Sequence, residues 1–176
     1  MSRRAVFLDR DGVLNRGLLR DGRLVPPHGV DELEVLPGVR EALRLLAEAG
    51  FLRIVVTNQP DVSRGTQQRA NVEAINRALA ERLPLDDIRT CFHDNADCCE
   101  CRKPKPGLLL QAARDHDVEL AKSFLVGDRA VDIAAGHAAG CTTVLVETDP
   151  PSANGDARPD YRARDLLEAA RRICEL

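Results

Sequence analysis

The chain has 176 residues, of which 44% are apolar and 30% charged, and its formal net charge is −3. That length fits one domain. The absence of an 18-residue apolar run and of a basic excess argues against a membrane span and against charge-driven binding of nucleic acid. The first residues, Met1-Ser2-Arg3-Arg4, lead within a few positions to Asp9, too short and too charged for a secretory leader, so a cytoplasmic location is expected. An apolar run over 5–8 predicts a short buried strand ended by Asp9. Pro37-Gly38 opens a predicted helix over 39–49, with Val39, Ala42, Leu43, Leu46 and Ala49 on one face and Gly50 at its C-terminal end. Residues 51–56 predict a second buried strand running into Thr57-Asn58-Gln59. Helices are expected over 66–83, 106–116, 132–139 and 165–174, and strands over 88–92, 123–126 and 142–146. Pro150 to Pro159, rich in turn formers, reads as a loop.

Strands alternating with helices imply a single α/β domain over 1–176: a three-layer, Rossmann-like parallel sheet covered on both faces. In such folds ligands bind beyond the carboxyl ends of the strands, where strand order switches. The polar clusters fall at those ends. Asp9 and Asp11 share one loop, where Gly12 permits a tight turn, and two close carboxylates need a cation or a shared proton between them. Thr57 and Asn58 offer a hydroxyl and an amide suited to phosphoryl oxygens. Arg64 follows on the same loop, where a guanidinium can meet a more distant anion. Arg102 and Lys103 lie on a proline-stiffened segment before a helix, so that the lysine can reach a phosphoryl group or an acidic nucleophile. Asp128 ends a later strand as a third carboxylate for magnesium, an ion that favours few carboxylates plus substrate phosphate. Asp132 is placed to orient that loop or Lys103. Of the 25 basic residues 22 are arginine, a residue whose planar fork suits phosphate.

Four of the six cysteines crowd into residues 91–101. Cys91-x-His93 followed by Cys99-x-Cys101, with Cys98 extra, supplies three thiolates and one imidazole, a closed tetrahedral donor set for structural zinc. In a reducing cytosol such a cluster favours metal over disulfides.

Taken in order, Asp9-x-Asp11-x-Val13, Thr57, Lys103 and Gly127-Asp128-x-x-x-Asp132 resemble the four motifs of the haloacid dehalogenase superfamily of phosphatases. The resemblance implies that fold without a large cap domain, and an aspartyl-phosphate mechanism with magnesium. Asp9 would be the nucleophile and Asp11 the general acid/base. Asp9, Asp11 (through its backbone carbonyl) and Asp128 would hold magnesium, and Thr57 and Lys103 the transferring phosphoryl group. The Cys-x-His and Cys-x-Cys-Arg-Lys-Pro pairs resemble the zinc loop of a subset of the superfamily. Alignment on Arg102-Lys103-Pro104 selects Cys99 and Cys101, with an exchange of Cys98 for Cys99 left open. One branch of that subset acts on a heptose bisphosphate and another on histidinol phosphate. Ser63-Arg64-Gly65 resembles the heptose branch, with Arg64 and Arg102 as forks for a second phosphate. The expected partner is a small sugar phosphate bound by a monomer. A phosphoryl-receiver or other non-catalytic binding module is the reading from a different class.

Overall fold

The computed structural model describes residues 2–148 and 157–176, so most of the loop expected over 150–159 lies outside the described residues. In chain order, β1 (Arg4–Leu8) leads through a loop to a hairpin of β2 (Leu18–Arg20) and β3 (Arg23–Val25). Then come α1 (Val39–Glu48), β4 (Phe51–Asn58), α2 (Arg69–Arg82) and β5 (Asp87–Cys91). After α3 (Gly107–His116) the chain continues with β6 (Phe124–Gly127), α4 (Ala130–Ala139) and β7 (Thr142–Val146). It ends with β8 (Tyr161–Ala163) and α5 (Leu166–Glu175).

Apart from the hairpin, the strands form one sheet in the order β5-β4-β1-β6-β7-β8, and every neighbouring pair is parallel. From β1 the chain builds outward through β4 and β5, then returns to the other side of β1 for β6, β7 and β8. This is the doubly wound order that opens a crevice at the switch point, and it differs from the order of receiver modules. The crevice therefore lies at the carboxyl ends of β4, β1 and β6.

Side chains alternate across the sheet. Val6 and Leu8 join α1, α2 and α5 in one apolar core, through Leu43, Leu46, Ile75, Leu79 and Ile173. Ala5 and Phe7 face the other way, into a second core with Leu109 and Ala112 of α3 and Ala135 of α4. Both faces of β1 are thus closed, and its four inner residues are fully buried. Among the described residues no helix is long and apolar enough to cross a membrane.

Three differences from the sequence reading have physical causes. The helix expected from residue 66 starts at Arg69, because the backbone N–H groups of Thr66 and Gln67 both donate to the Asp61 carbonyl and close the preceding loop. The helix expected from residue 132 starts at Ala130, because the Asp132 carboxylate accepts from the Arg129 N–H at 3.0 Å and caps it. The hairpin was not expected from sequence. It turns at Asp21-Gly22, where both residues have positive φ, the Asp-Gly signature of a two-residue hairpin.

Candidate active site

Three adjacent strands deliver the central groups. Asp9 follows β1, Thr57 closes β4 and Asp128 follows β6. The loop after β1 folds tightly over the Arg10 carbonyl, which accepts from the N–H groups of Leu14 and Asn15 at 2.9 and 3.2 Å. Gly12 has φ +89°, and a Cβ there would stand 2.5 Å from Asp128 Oδ2. Only glycine lets this loop approach the end of β6 so closely. A Cβ at Gly127 would likewise meet the Asp132 side chain at 2.2 Å.

Lys103 reaches into this crevice from the segment before α3 and is 2% exposed. Its Nζ donates to Asp9 Oδ1 at 2.9 Å and to the Val56 carbonyl at 2.7 Å, and it lies 2.6 Å from Asp132 Oδ1. Asp132 thus both caps α4 and holds Lys103. Burial pushes the Lys103 ammonium down, but Asp132 and Asp9 outweigh burial and keep the proton on. Burial also pushes the Asp9 carboxyl up, and the Lys103 charge and hydrogen bond overcome that and hold it below the usual carboxylate range. Asp128 shifts the other way. Burial, then Asp9 and Asp132, raise it to about 8, and burial followed by Asp9 raises Asp132 to about 6 against the pull of Lys103.

Asp9, Asp128 and Asp132 have carboxylate oxygens within 4.8 Å of one another. Three buried carboxylates facing one ammonium carry an excess of negative charge, and a divalent cation is the natural compensation. The donor set fits magnesium, a hard ion that takes carboxylate oxygens. The Asp11 carboxylate stands apart from this group and is held by the side chains of Arg10, Asn15 and Gln59.

Asn58, expected at the phosphoryl group, engages the Lys103 backbone with both ends of its amide. Its Nδ2 donates to the Lys103 carbonyl at 3.0 Å, and its Oδ1 accepts from the Lys103 N–H at 3.1 Å. Both ends of the amide fasten the Lys103 backbone to β4. Thr57 is 1% exposed, and its Oγ1 accepts from Gln59 Nε2 at 2.9 Å. Arg64 and Arg102 meet on Asp94. Arg64 forks onto it at 2.7 and 2.9 Å and also touches Asp61 at 3.3 Å, while Arg102 lies 3.9 Å from Asp94 and donates to Asn95 Oδ1. The Arg64 fork and the Asn95 N–H hold Asp94 down at about 2.

Cys91, His93, Cys99 and Cys101 converge on one point. Their sulfur–sulfur separations are 3.1, 3.6 and 3.7 Å, and His93 Nδ1 lies 3.3 and 3.6 Å from two of the sulfurs. A tetrahedral zinc with ordinary bond lengths spans edges of about 3.6–3.8 Å; three of the five separations match and two of those involving Cys101, at 3.1 and 3.3 Å, are shorter, so a slight opening at Cys101 fits the quartet to zinc. Cys98 turns away with φ +50° and directs its thiol toward the Asn95 carbonyl, which leaves Cys99 in the quartet. Burial raises the Cys91 thiol above its usual range. At Cys99 the Arg102 N–H leads the groups that overcome burial and lower the thiol to about 7. The loop also abuts α3, because a Cβ on Gly107 would sit 2.2 Å from the Glu100 carbonyl oxygen.

Beside Asp11, Gly12 and Asp128 a cavity of about 280 Å³ opens under the hairpin, with Arg16, Arg129 and Arg164 in its wall.

Sequence reasoning assigned no role to Arg10 and Asn15, both fully buried, and read Gln59, 2% exposed, only as an amide donor for phosphoryl oxygens. The signal available was their place beside motif residues, since a polar side chain flanking a buried carboxylate is itself drawn inward to satisfy it.

A HAD-hydrolase-like family model matches residues 100–169. A D-glycero-D-manno-heptose-1,7-bisphosphate 7-phosphatase of Thermosynechococcus vestitus is 36% identical, aligned over 99% of this chain and 97% of the relative. A D-glycero-beta-D-manno-heptose-1,7-bisphosphate 7-phosphatase of Yersinia pestis is 37% identical over 96% and 94%. Among solved structures, a D,D-heptose 1,7-bisphosphate phosphatase from B. bronchiseptica, complexed with magnesium and phosphate, superposes with a TM-score of 0.81 at 33% identity, covering 98% of each chain.

Proposed function

The chain belongs to the heptose-1,7-bisphosphate 7-phosphatase family of haloacid dehalogenase-like hydrolases, and from that premise we propose how its own residues remove the 7-phosphate of D-glycero-D-manno-heptose 1,7-bisphosphate. The observation that carries the reading is the buried Asp9 carboxylate, kept ionised by Lys103 at 2.9 Å at the switch point of the sheet.

Asp9 attacks phosphorus in line. The bond from phosphorus to the sugar oxygen breaks as the acyl phosphate on Asp9 forms. Asp11 gives its proton to the departing alkoxide, then takes one from the water that hydrolyses the acyl phosphate and restores Asp9. Lys103 and Thr57 face the transferring oxygens, and Asn58 and Asp132 fix Lys103 from its backbone and from its ammonium. Asp9, Asp128 and the Asp11 backbone carbonyl would hold magnesium, which neutralises charge on the phosphoryl oxygens. Cys91, His93, Cys99 and Cys101 would hold zinc. With four protein donors that metal would be structural, and it would fix the segment carrying Arg102 and Lys103.

Arg64 and Arg102 are the pair proposed for the distal phosphate. Asp94 keeps their guanidinium groups together, and an incoming phosphate replaces that carboxylate. The test is phosphate release with magnesium from both anomers of the heptose bisphosphate, from the corresponding 7-phosphate and from histidinol phosphate. Preference for a bisphosphate is expected. Turnover confined to histidinol phosphate refutes the substrate, and an Asp9→Asn protein retaining more than about a hundredth of the activity refutes the nucleophile.

A further inference from the structure

Asp11 sits on a loop, yet its carboxylate has little freedom. Oδ1 accepts from Asn15 Nδ2 at 2.9 Å and from Arg10 Nε and Nη2 at 3.3 and 3.2 Å. Oδ2 accepts from Gln59 Nε2 at 2.7 Å and from Arg10 Nη2 at 3.1 Å. The guanidinium is itself anchored: Arg10 Nη1 donates to Asn76 Oδ1 at 2.9 Å, and Asn76 Nδ2 donates to Thr90 Oγ1 at 3.0 Å. Asn15 is fully buried, and its Oδ1 has no hydrogen-bond partner among the described residues. A buried amide with one end unsatisfied is costly, so it is a poor way to fill space. Among the described residues its other end donates to Asp11 and, at 3.3 Å, to the Arg16 carbonyl. Gln59 Nε2 is shared between Asp11 and Thr57 Oγ1, which ties the carboxylate to the hydroxyl at the end of β4.

We propose that Asn15 and Gln59 are positioning residues for Asp11: two buried amides which, with Arg10, aim its carboxyl group at the leaving oxygen of the substrate. The inference rests on the acid/base reading of Asp11. A proton donor works only within hydrogen-bond reach of the atom it serves, and a side chain free to rotate spends most of its time elsewhere. Removing either amide therefore slows departure of a leaving group that needs a proton more than departure of one that does not.

The experiment compares single-turnover release from the heptose bisphosphate, whose alkoxide needs a proton, with release from p-nitrophenyl phosphate, whose phenolate does not. Asn15→Ala and Gln59→Met are measured beside Asp11→Asn, with thermal unfolding of each. For both amide variants the ratio of aryl to sugar rates is expected to rise at least about tenfold, in the direction Asp11→Asn moves it. Equal losses on both substrates, or an unchanged ratio, overturn the proposal. Gln59→Met keeps the side-chain length and decides the matter if Asn15→Ala fails to fold. Should Asp11→Asn itself leave the ratio unchanged, the acid/base reading of Asp11 is what fails.

Discussion

Replacing Lys103 by methionine removes the one ammonium among three buried carboxylates while nearly keeping the volume. Two ion pairs, at 2.9 Å to Asp9 and 2.6 Å to Asp132, disappear, and the Val56 carbonyl loses its donor. Breaking a buried pair by deleting one partner costs about 3–5 kcal/mol, because the remaining charge stays buried and uncompensated. Against a total stability of about 5–15 kcal/mol for an ordinary domain, that is a large fraction. Urea unfolding in magnesium-free buffer should show a loss of about 3–5 kcal/mol. Added magnesium should recover part of it by neutralising the same carboxylates. In the double variant Lys103→Met/Asp132→Asn part of the loss should be recovered, since one of the two stranded charges is removed while Asp9 stays buried and unpaired. Turnover should fall by about two to three orders of magnitude in either variant, because the donor proposed for the phosphoryl oxygens is absent. A stability loss under about 1 kcal/mol, or a double variant no more stable than Lys103→Met, would refute this account of the crevice.

Cys99→Ala should lose zinc, measured by elemental analysis, and should lower both unfolding temperature and activity, whereas Cys98→Ala should retain metal and turnover; the reverse ranking would exchange the two cysteines. Arg64→Ala should lower kcat/KM for the bisphosphate about tenfold, the scale of one charge-assisted fork, and leave the monophosphate nearly unaffected. If Arg129→Ala shows that pattern instead, the distal phosphate lies in the cavity under the hairpin. In magnesium-free buffer Asp128 is held up at about 8 and Asp132 at about 6, against 3.8 for an ordinary aspartate. In that window the native state binds more protons than the unfolded chain, so these two groups make stability fall as pH rises from about 4 to about 8. Unfolding midpoints across that range should decline and flatten when magnesium is added; a rise attributable to these residues, tested with Asp128→Asn, would contradict the assignment.

The legible part of the fold was the part with strong periodicity. The apolar runs that became β1, β4, β6 and β7 have no competing reading, and Asp9, Thr57 and Asp128 could be placed because each ends such a run. The hairpin and β8 are three-residue strands, too short to show alternation, although Asp21-Gly22 carried a turn signal that went unused. The Cys/His quartet was legible from residue type and spacing, and alignment on Arg102-Lys103-Pro104 already favoured Cys99, but setting Cys98 aside takes a backbone in which Cys98 adopts positive φ. Arg10 was least legible. A sequence between two aspartates suggests an exposed arginine, and full burial depends on Asn76 and Thr90 arriving from α2 and β5, some 66 and 80 positions away.

The ladder Leu8↔Val55 and Leu8↔Val126 aligns the ends of β1, β4 and β6 in register, at the fixed spacing of about 4.8 Å between neighbouring strands. The sheet therefore acts as a ruler: its pitch, and not the length of any loop, sets how far apart the reacting groups stand. Lengthening the turn at Asp21-Gly22 or exchanging the segment over 60–68 should alter what the site admits without moving Asp9 relative to Asp128. One residue inserted inside β1 shifts its carboxylate by a full step and turns its flanking side chains to the wrong face. A scaffold of this kind can be diversified at its rim while its chemistry stays put, so recombination of loops, with the strands held constant, is the way to seek new phosphate esters for it.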